Sequence, residues 1–305
     1  MLDPDEGVVR PRFPNLIIGC VVAGLVLLGR TVSSGLVAGP QRDATYGPPE
    51  TRSTPGRMSA HPQQNSELLP EADHIFRQAA EDYRAGRIAQ ALAGLKEGLK
   101  AYPDDPPMLH LAGLIHSSLG ENQAAQLYLE RAVKLWPDHP VYWINLGIFY
   151  MRISRIAEAE KSLRRSVAAS PNPTAYNLLG LIRLDRNAGE EAVDFLKKSL
   201  DLTRDDVRSW YYLGLAHQSL AQNDSALSCY QEALRLAPRD FYTNLQLAKL
   251  FLKRGQRQDA LRYLKMAQEL RPDEPETFRL LSEAYLGTGD MESALTWGRR
   301  AAQAR

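Results

Sequence analysis

Seven alanines stand in one phase along the chain: Ala91, Ala125, Ala159, Ala192, Ala226, Ala260 and Ala294. The intervals between them are 34, 34, 33, 34, 34 and 34 residues. Twelve residues before each stands another small residue: Ala79, Gly113, Gly147, Gly180, Gly214, Ala248 and Ser282. A fixed period of this length marks a stacked array. One unit cannot bury its apolar face alone, and its neighbours complete the burial. Prolines close most units, at Pro103, Pro137, Pro171, Pro238 and Pro272, with Arg204 in that place once. The shorter interval then reflects one residue missing just after Pro171, in a turn, where a deletion is tolerated.

Each unit reads as two helices. In the first, bulky, Leu or Ala, small and bulky residues recur at offsets of 0, 3, 4 and 7, which is one helical face. The sets are Leu109/Ala112/Gly113/His116, Trp143/Leu146/Gly147/Tyr150, Tyr176/Leu179/Gly180/Arg183 and Trp210/Leu213/Gly214/His217. The small residue admits the second helix, and the phased Ala does the same from the other side. Turns such as Ala85-Gly86-Arg87 and Leu119-Gly120-Glu121 separate the helices. The closing Pro ends the second helix.

Trp143, Leu146, Gly147, Tyr150, Ala159, Leu163 and Pro171 match the W-x2-L-G-x2-Y…A-x3-F…P pattern, so the chain resembles the tetratricopeptide repeat family. The resemblance implies an all-α fold, a right-handed α-solenoid (superhelix) of seven helix-turn-helix repeats over residues 71–305. Units start near 72, 106, 140, 173, 207, 241 and 275. The first departs from the pattern with Gln78 and Asp82, a polar outer face that suits a terminal cap. The last carries Trp297 and Gly298 on its second helix, so its end is expected to be exposed and to support weak self-association.

A solenoid of helix pairs has a concave surface lined by the first helices. The resemblance implies that this surface holds short peptide segments of partner proteins. Residues beside the core stripe project there: Ile144, Asn145, Ile148, Asn177, Leu181, Arg208, Tyr211, Leu215 and Tyr242. Asn can satisfy the backbone of an extended peptide, while Tyr and Ile supply contact area. Ile148 and Leu181 suit packing between units equally well. One family variant grips a C-terminal carboxylate with a Lys and an Asn; Phe76 and Ala80 stand in those places here. The expected ligand is therefore an apolar or mixed segment.

The N-terminal part differs in composition. After a short tail (1–12), Leu16 to Gly29 carries no charge, between Arg10 and Arg12 on one side and Arg30 on the other. Extended over 13–32 it reaches the ~20 residues of a transmembrane helix, provided Arg30 snorkels to the headgroups. An uncleaved single-pass anchor is favoured, with the N-terminus cytoplasmic and the repeats extracytoplasmic. The alternative is a cleaved signal and a secreted or periplasmic protein. Residues 33–70, rich in Pro, Gly, Ser, Thr and Gln, read as a disordered tether.

Chemistry is scarce. Lys+Arg 37 against Asp+Glu 36 leaves no basic excess, so no nucleic-acid partner is expected. Phosphate-binding loops, H-E-x-x-H and G-x-S-x-G are absent from the sequence, and two cysteines cannot frame a metal site. His116 and His217 occupy core-stripe positions. The expectation is a membrane-tethered scaffold with no catalytic residue, metal or cofactor; a non-catalytic subunit of an enzyme or secretion complex is the further alternative.

Overall fold

The computed structural model describes residues 69–304. Fourteen helices follow one another among the described residues, with no strand, as seven antiparallel pairs. They are α1 (Leu69–Arg84), α2 (Ile88–Ala101), α3 (Pro106–Ser118), α4 (Asn122–Leu135), α5 (Pro140–Arg152), α6 (Ile156–Ala169) and α7 (Pro173–Asp185). The series continues with α8 (Gly189–Leu202), α9 (Val207–Ser219), α10 (Asn223–Leu236), α11 (Phe241–Lys253), α12 (Arg257–Leu270), α13 (Pro275–Thr288) and α14 (Met291–Gln303). The all-α solenoid architecture is the one implied by the repeat pattern. The anchor or signal at 13–32, the tail at 1–12 and the tether as far as residue 68 lie outside the described residues. Among the described residues, no helix is long and apolar enough to cross a membrane.

Local chemistry fixes where the helices begin. Asp105, Asn172 and Asp240 are N-caps whose side chains accept hydrogen bonds from the backbone of Met108, Ala175 and Thr243, at 2.9, 2.8 and 2.8 Å. Pro106, Pro140, Pro173 and Pro275 open first helices, where the missing N–H has no helical partner to lose. The turn inside each pair uses one left-handed residue: Gly86, Gly120, Ser154, Asn187, Ala221, Gly255 and Gly289. These share the phase of the alanines, including the single shorter step.

The small residues govern packing within the pairs. A Cβ added at Gly113 would lie 2.7 Å from Leu129 Cγ, and one at Gly147 would lie 2.9 Å from Leu163 Cγ. The second helix can come that close only because no side chain intervenes. All seven phased alanines are at most 5% exposed.

The chain divides after Ser170 into two compact units, at the place of the one-residue deletion. The first holds three repeats, α1 to α6, and in it Ala79, Leu95, Met108 and Ile115 are buried in one cluster. The second holds four, α7 to α14, with Leu245, Ala248, Leu264 and Leu281 in a cluster towards its C-terminal end. The outer face of α1 is polar: His74, Gln78 and Glu81 are exposed, and Asp82 pairs with Arg87 at 2.7 Å.

The conspicuous aromatics serve the fold. Trp143 Nε1 donates to the carbonyl of Pro137 at 2.6 Å, and Trp210 Nε1 donates to that of Arg204 at 2.8 Å. Each Trp thus braces the turn that leads into its own helix. Tyr150 is buried and donates to Glu130, with the Arg155 guanidinium 4.9 Å from its ring. Its hydroxyl is pushed far above the usual phenol range, first by burial and then by Glu130.

Candidate functional site

The nine groove candidates fall on the first helices of both units. In the first unit, α5 carries Ile144, Asn145 and Ile148. Ile144 and Asn145 are buried, and Ile148 is half-buried. Asn145 Nδ2 lies 2.8 Å from His110 Nε2 on α3, so its amide is engaged with the preceding repeat. His110 stacks on Tyr142 with ring centroids 4.2 Å apart, and Tyr142 stacks on His139 at 4.1 Å. Burial pushes the His110 pKa down to about 3, and His139 adds to the effect. This imidazole is neutral, and its Nε2 accepts a hydrogen bond from the Asn145 amide.

In the second unit, Asn177 and Leu181 on α7 are buried. The Asn177 amide is also engaged: Nδ2 donates to Asp206 Oδ2 at 2.7 Å. Ser209 Oγ lies 2.8 Å from Asn177 Oδ1, 2.6 Å from Asp206 Oδ2 and 2.8 Å from Ser199 Oγ. Ser199 Oγ also reaches the Pro173 carbonyl at 3.1 Å. This chain of polar groups ties α7, α8 and α9 together inside the packing. Both candidate asparagines therefore already have protein partners in the described structure.

The remaining four candidates lie on α9 and α11. Arg208 is exposed, Leu215 and Tyr242 are half-buried, and Tyr211 is 8% exposed. The Tyr211 ring is 6.5 Å from that of Tyr242, 5.4 Å from Tyr212 and 6.1 Å from Tyr230. Arg271, in the turn before α13, covers this group from one side: its guanidinium lies 4.3 Å from the Phe241 ring and 4.6 Å from that of Tyr242. Its Nη2 also donates to the Tyr242 hydroxyl at 3.1 Å. Further along α11, Lys249 pairs with Glu276 at 2.8 Å. Arg208 is 3.6 Å from Asp206. The accessible part is thus an aromatic and aliphatic surface with cations at its edge, a character suited to a peptide with apolar anchors.

Reasoning from sequence missed Arg271 and His110 as organisers of these surfaces. One signal existed for Arg271: residues before the closing Pro include Tyr102, Trp136 and Arg271, all large. Trp136 likewise packs edge-on against Tyr142, with centroids 5.9 Å apart. His116 and His217 lie in the last turns of α3 and α9, where Nδ1 meets Glu121 at 2.5 Å and Gln222 at 2.6 Å from just beyond each helix. Among the described residues, no group of His, Cys, Asp and Glu could hold a metal ion.

A chain of stacked helix pairs with this accessible face is an α-solenoid repeat protein. Residues 108–237 match the family described as the cilia and flagella-associated protein 70 middle TPR-like domain, and residues 245–305 match a tetratricopeptide repeat family. The repeat region belongs to the tetratricopeptide repeat family. Among curated relatives, the chain is 25% identical over 217 residues to DnaJ homolog subfamily C member 3 of Rattus norvegicus, covering 70% of this chain and 38% of that protein. It is 24% identical over 173 residues to anaphase-promoting complex subunit CDC16 of Saccharomyces cerevisiae, covering 54% of this chain and 21% of that protein. The chain thus spans well under half the length of the curated relatives it matches. Among solved structures, the APC/C hetero-tetramer Cut9-Hcn1 aligns with a TM-score of 0.61 at 20% identity, covering 72% of this chain and 44% of that one. That likeness concerns the fold alone.

Proposed function

We propose that this chain is a non-catalytic scaffold, tethered to a membrane through residues 13–32, whose repeats hold an apolar or mixed peptide segment of a partner protein. The observation that carries the peptide-binding part is the accessible surface of α9 and α11. Leu215 on α9 and Tyr242 on α11 stand half-exposed on packed helices, and Arg208 on α9 is exposed. Tyr242 is preordered by Arg271, so little side-chain entropy is lost when a ligand settles on it. The kinship with a protein named as a subunit of the anaphase-promoting complex supports a role in assembly. The tether is supported by the uncharged run Leu16–Gly29.

Two experiments test this. Proximity labelling and pull-down with the full chain should identify a partner, and Tyr242→Ala combined with Leu215→Ser should lower its capture by about 10-fold or more while helicity is unchanged. Unchanged capture would move the site elsewhere. For the tether, carbonate should leave the full chain in the membrane fraction, and a chain without residues 13–32 should be released; release of both would remove that part.

A further inference from the structure

The phased alanines also define the outermost face of each second helix. Residues two, five, six and nine places after each alanine lie on the side turned away from the core. In the first unit all twelve such residues are exposed. They include Lys96 and Lys100 on α2, Arg131 and Lys134 on α4, and Lys161, Arg164 and Arg165 on α6. Against these seven cations stand two acids, Glu97 and Glu130. The same places in the second unit hold seven cations and four acids over four repeats, and the whole chain carries only +1. Part of the excess is paired: Lys100 with Glu97 at 2.7 Å, Arg131 with Asp104 at 2.6 Å and Arg164 with Glu160 at 2.9 Å. Among the described residues, no carboxylate pairs with Lys134, Lys161 or Arg165. Two further features share the face. Leu127, in the place that Lys161 takes one repeat later, is 65% exposed, more than any other large apolar side chain among the described residues. On α6 the small Ala157 and Ala168 leave an open hollow of about 550 Å³, whose other lining residues are Glu160, Lys161, Arg164 and Arg165.

We infer that this face of the first unit rests on an anionic lipid surface, with Leu127 entering between the headgroups and the unpaired cations meeting lipid phosphate and carboxylate. Three observations select this partner. Cations repeated at the outermost places of successive helices match a surface of opposite charge, and each Lys or Arg brought near it strengthens the attraction. Around the hollow on α6 the alkyl stems of Lys161, Arg164 and Arg165 can lie against the acyl boundary while their charged ends reach phosphate. Leu127 then decides among anionic partners. An apolar side chain set among cations leaves water favourably in the bilayer interface, whereas a nucleic acid or an acidic peptide would set charge against it. The face belongs to the first unit and the proposed peptide surface to α9 and α11 of the second, so the two readings stand or fall separately.

The test places an environment-sensitive fluorophore at Leu127→Cys in the full chain, with Cys20→Ala and Cys229→Ala removing the two native thiols. Vesicles of phosphatidylcholine with ~30% phosphatidylserine are compared with phosphatidylcholine alone. A chain anchored through residues 13–32 is reconstituted into them, and one without an anchor is added from outside. The label reports on the repeats in either case, so failure of the tether leaves this test intact. On anionic vesicles the emission should shift to the blue and be quenched by spin-labelled lipid, and ~0.5 M salt should remove most of the shift. Lys134→Glu combined with Lys161→Glu should weaken the response by about 10-fold. Both side chains are exposed, so helicity should be unchanged. Arg262→Glu combined with Lys265→Glu on α12 alters the net charge equally and should leave the response in place. An unshifted label on anionic vesicles, an equal shift on phosphatidylcholine alone, or an equal loss in the two charge pairs would overturn the inference. So would a shift with single-stranded RNA or polyglutamate and none with vesicles, which would give the face to a nucleic acid or an acidic protein.

Discussion

Asn145 on α5 donates its side-chain amide to His110 on α3 across 2.8 Å, joining the first helices of successive repeats 35 residues apart. Both residues are buried, at 4% and 7% exposure, so neither side chain can turn to water if the other is lost. Asn145→Ala should therefore cost about 1–3 kcal/mol, because a buried ring nitrogen is left without a donor. Urea unfolding followed by far-ultraviolet circular dichroism measures it. In an array whose stability is a sum over repeats, the loss should fall first on the unit that ends at Ser170. A change below about 0.3 kcal/mol, the scatter of independent sites, would mean that the bond contributes nothing net.

The same contact predicts how stability varies with acid. His110 has a folded pKa pushed down to about 3 by burial, against an ordinary value of 6.5. A group with a depressed folded pKa takes up its proton preferentially in the unfolded chain. Its contribution is thus complete above about pH 6.5 and is lost as pH falls towards 3. Within that window, each pH unit should remove about 1.4 kcal/mol. His139, lowered by partial burial, acts in the same direction. Comparing wild type with His110→Gln from pH 7 to pH 4.5, before carboxylates dominate, isolates the residue. Parallel stability curves for the two proteins would contradict a buried neutral imidazole.

Asn177, Ser209 and Asp206 should behave as one unit under mutation. Asp206 Oδ2 accepts from the Asn177 amide at 2.7 Å, and the one hydroxyl proton of Ser209 is shared between Asp206 Oδ2 at 2.6 Å and Asn177 Oδ1 at 2.8 Å. Asn177→Ala and Ser209→Ala should each destabilise the second unit by about 1–3 kcal/mol. The double substitution should cost less than the two added together, with a coupling of about 0.5 kcal/mol or more. Simple additivity in a double-mutant cycle would mean that the hydroxyl and the amide act separately.

These polar contacts mark the boundary of what could be read before the coordinates. The phased alanines and their small partners prescribed the helix pairs, since packing at a close approach depends on residue size at fixed offsets. Trp143 was legible as a fold-specifying residue, but its bond to the Pro137 carbonyl was not. The asparagines were harder still. Asn145 and Asn177 lie beside the core stripe, a position open to either a ligand or a neighbouring helix. What engages them stands 35, 29 and 32 residues away on other helices, at spacings that no local pattern encodes. Arg271 was illegible for the same reason: its contact with Tyr242 spans 29 residues and depends on how a turn folds back.

The left-handed turn residue offers a last prediction, from a position occupied by four glycines and by Ser154, Asn187 and Ala221. Ala221 has φ 58°, a conformation in which its Cβ crowds the following carbonyl. For an L-residue without a side-chain hydrogen bond this costs about 1–2 kcal/mol, and Gly escapes it. Against that, Gly gives the unfolded chain more freedom, worth about 0.4–1 kcal/mol. Ala221→Gly should therefore raise stability by roughly 0.8 kcal/mol, the difference between the middles of those two ranges. The converse control is Gly120→Ala at φ 78°, where an added Cβ would meet nothing within 4 Å. Any loss there is conformational rather than steric, and it should have the opposite sign to the gain at Ala221. Thermal unfolding of both variants under one condition settles the comparison; destabilisation by Ala221→Gly would show that unfolded-state entropy outweighs the strain of the turn.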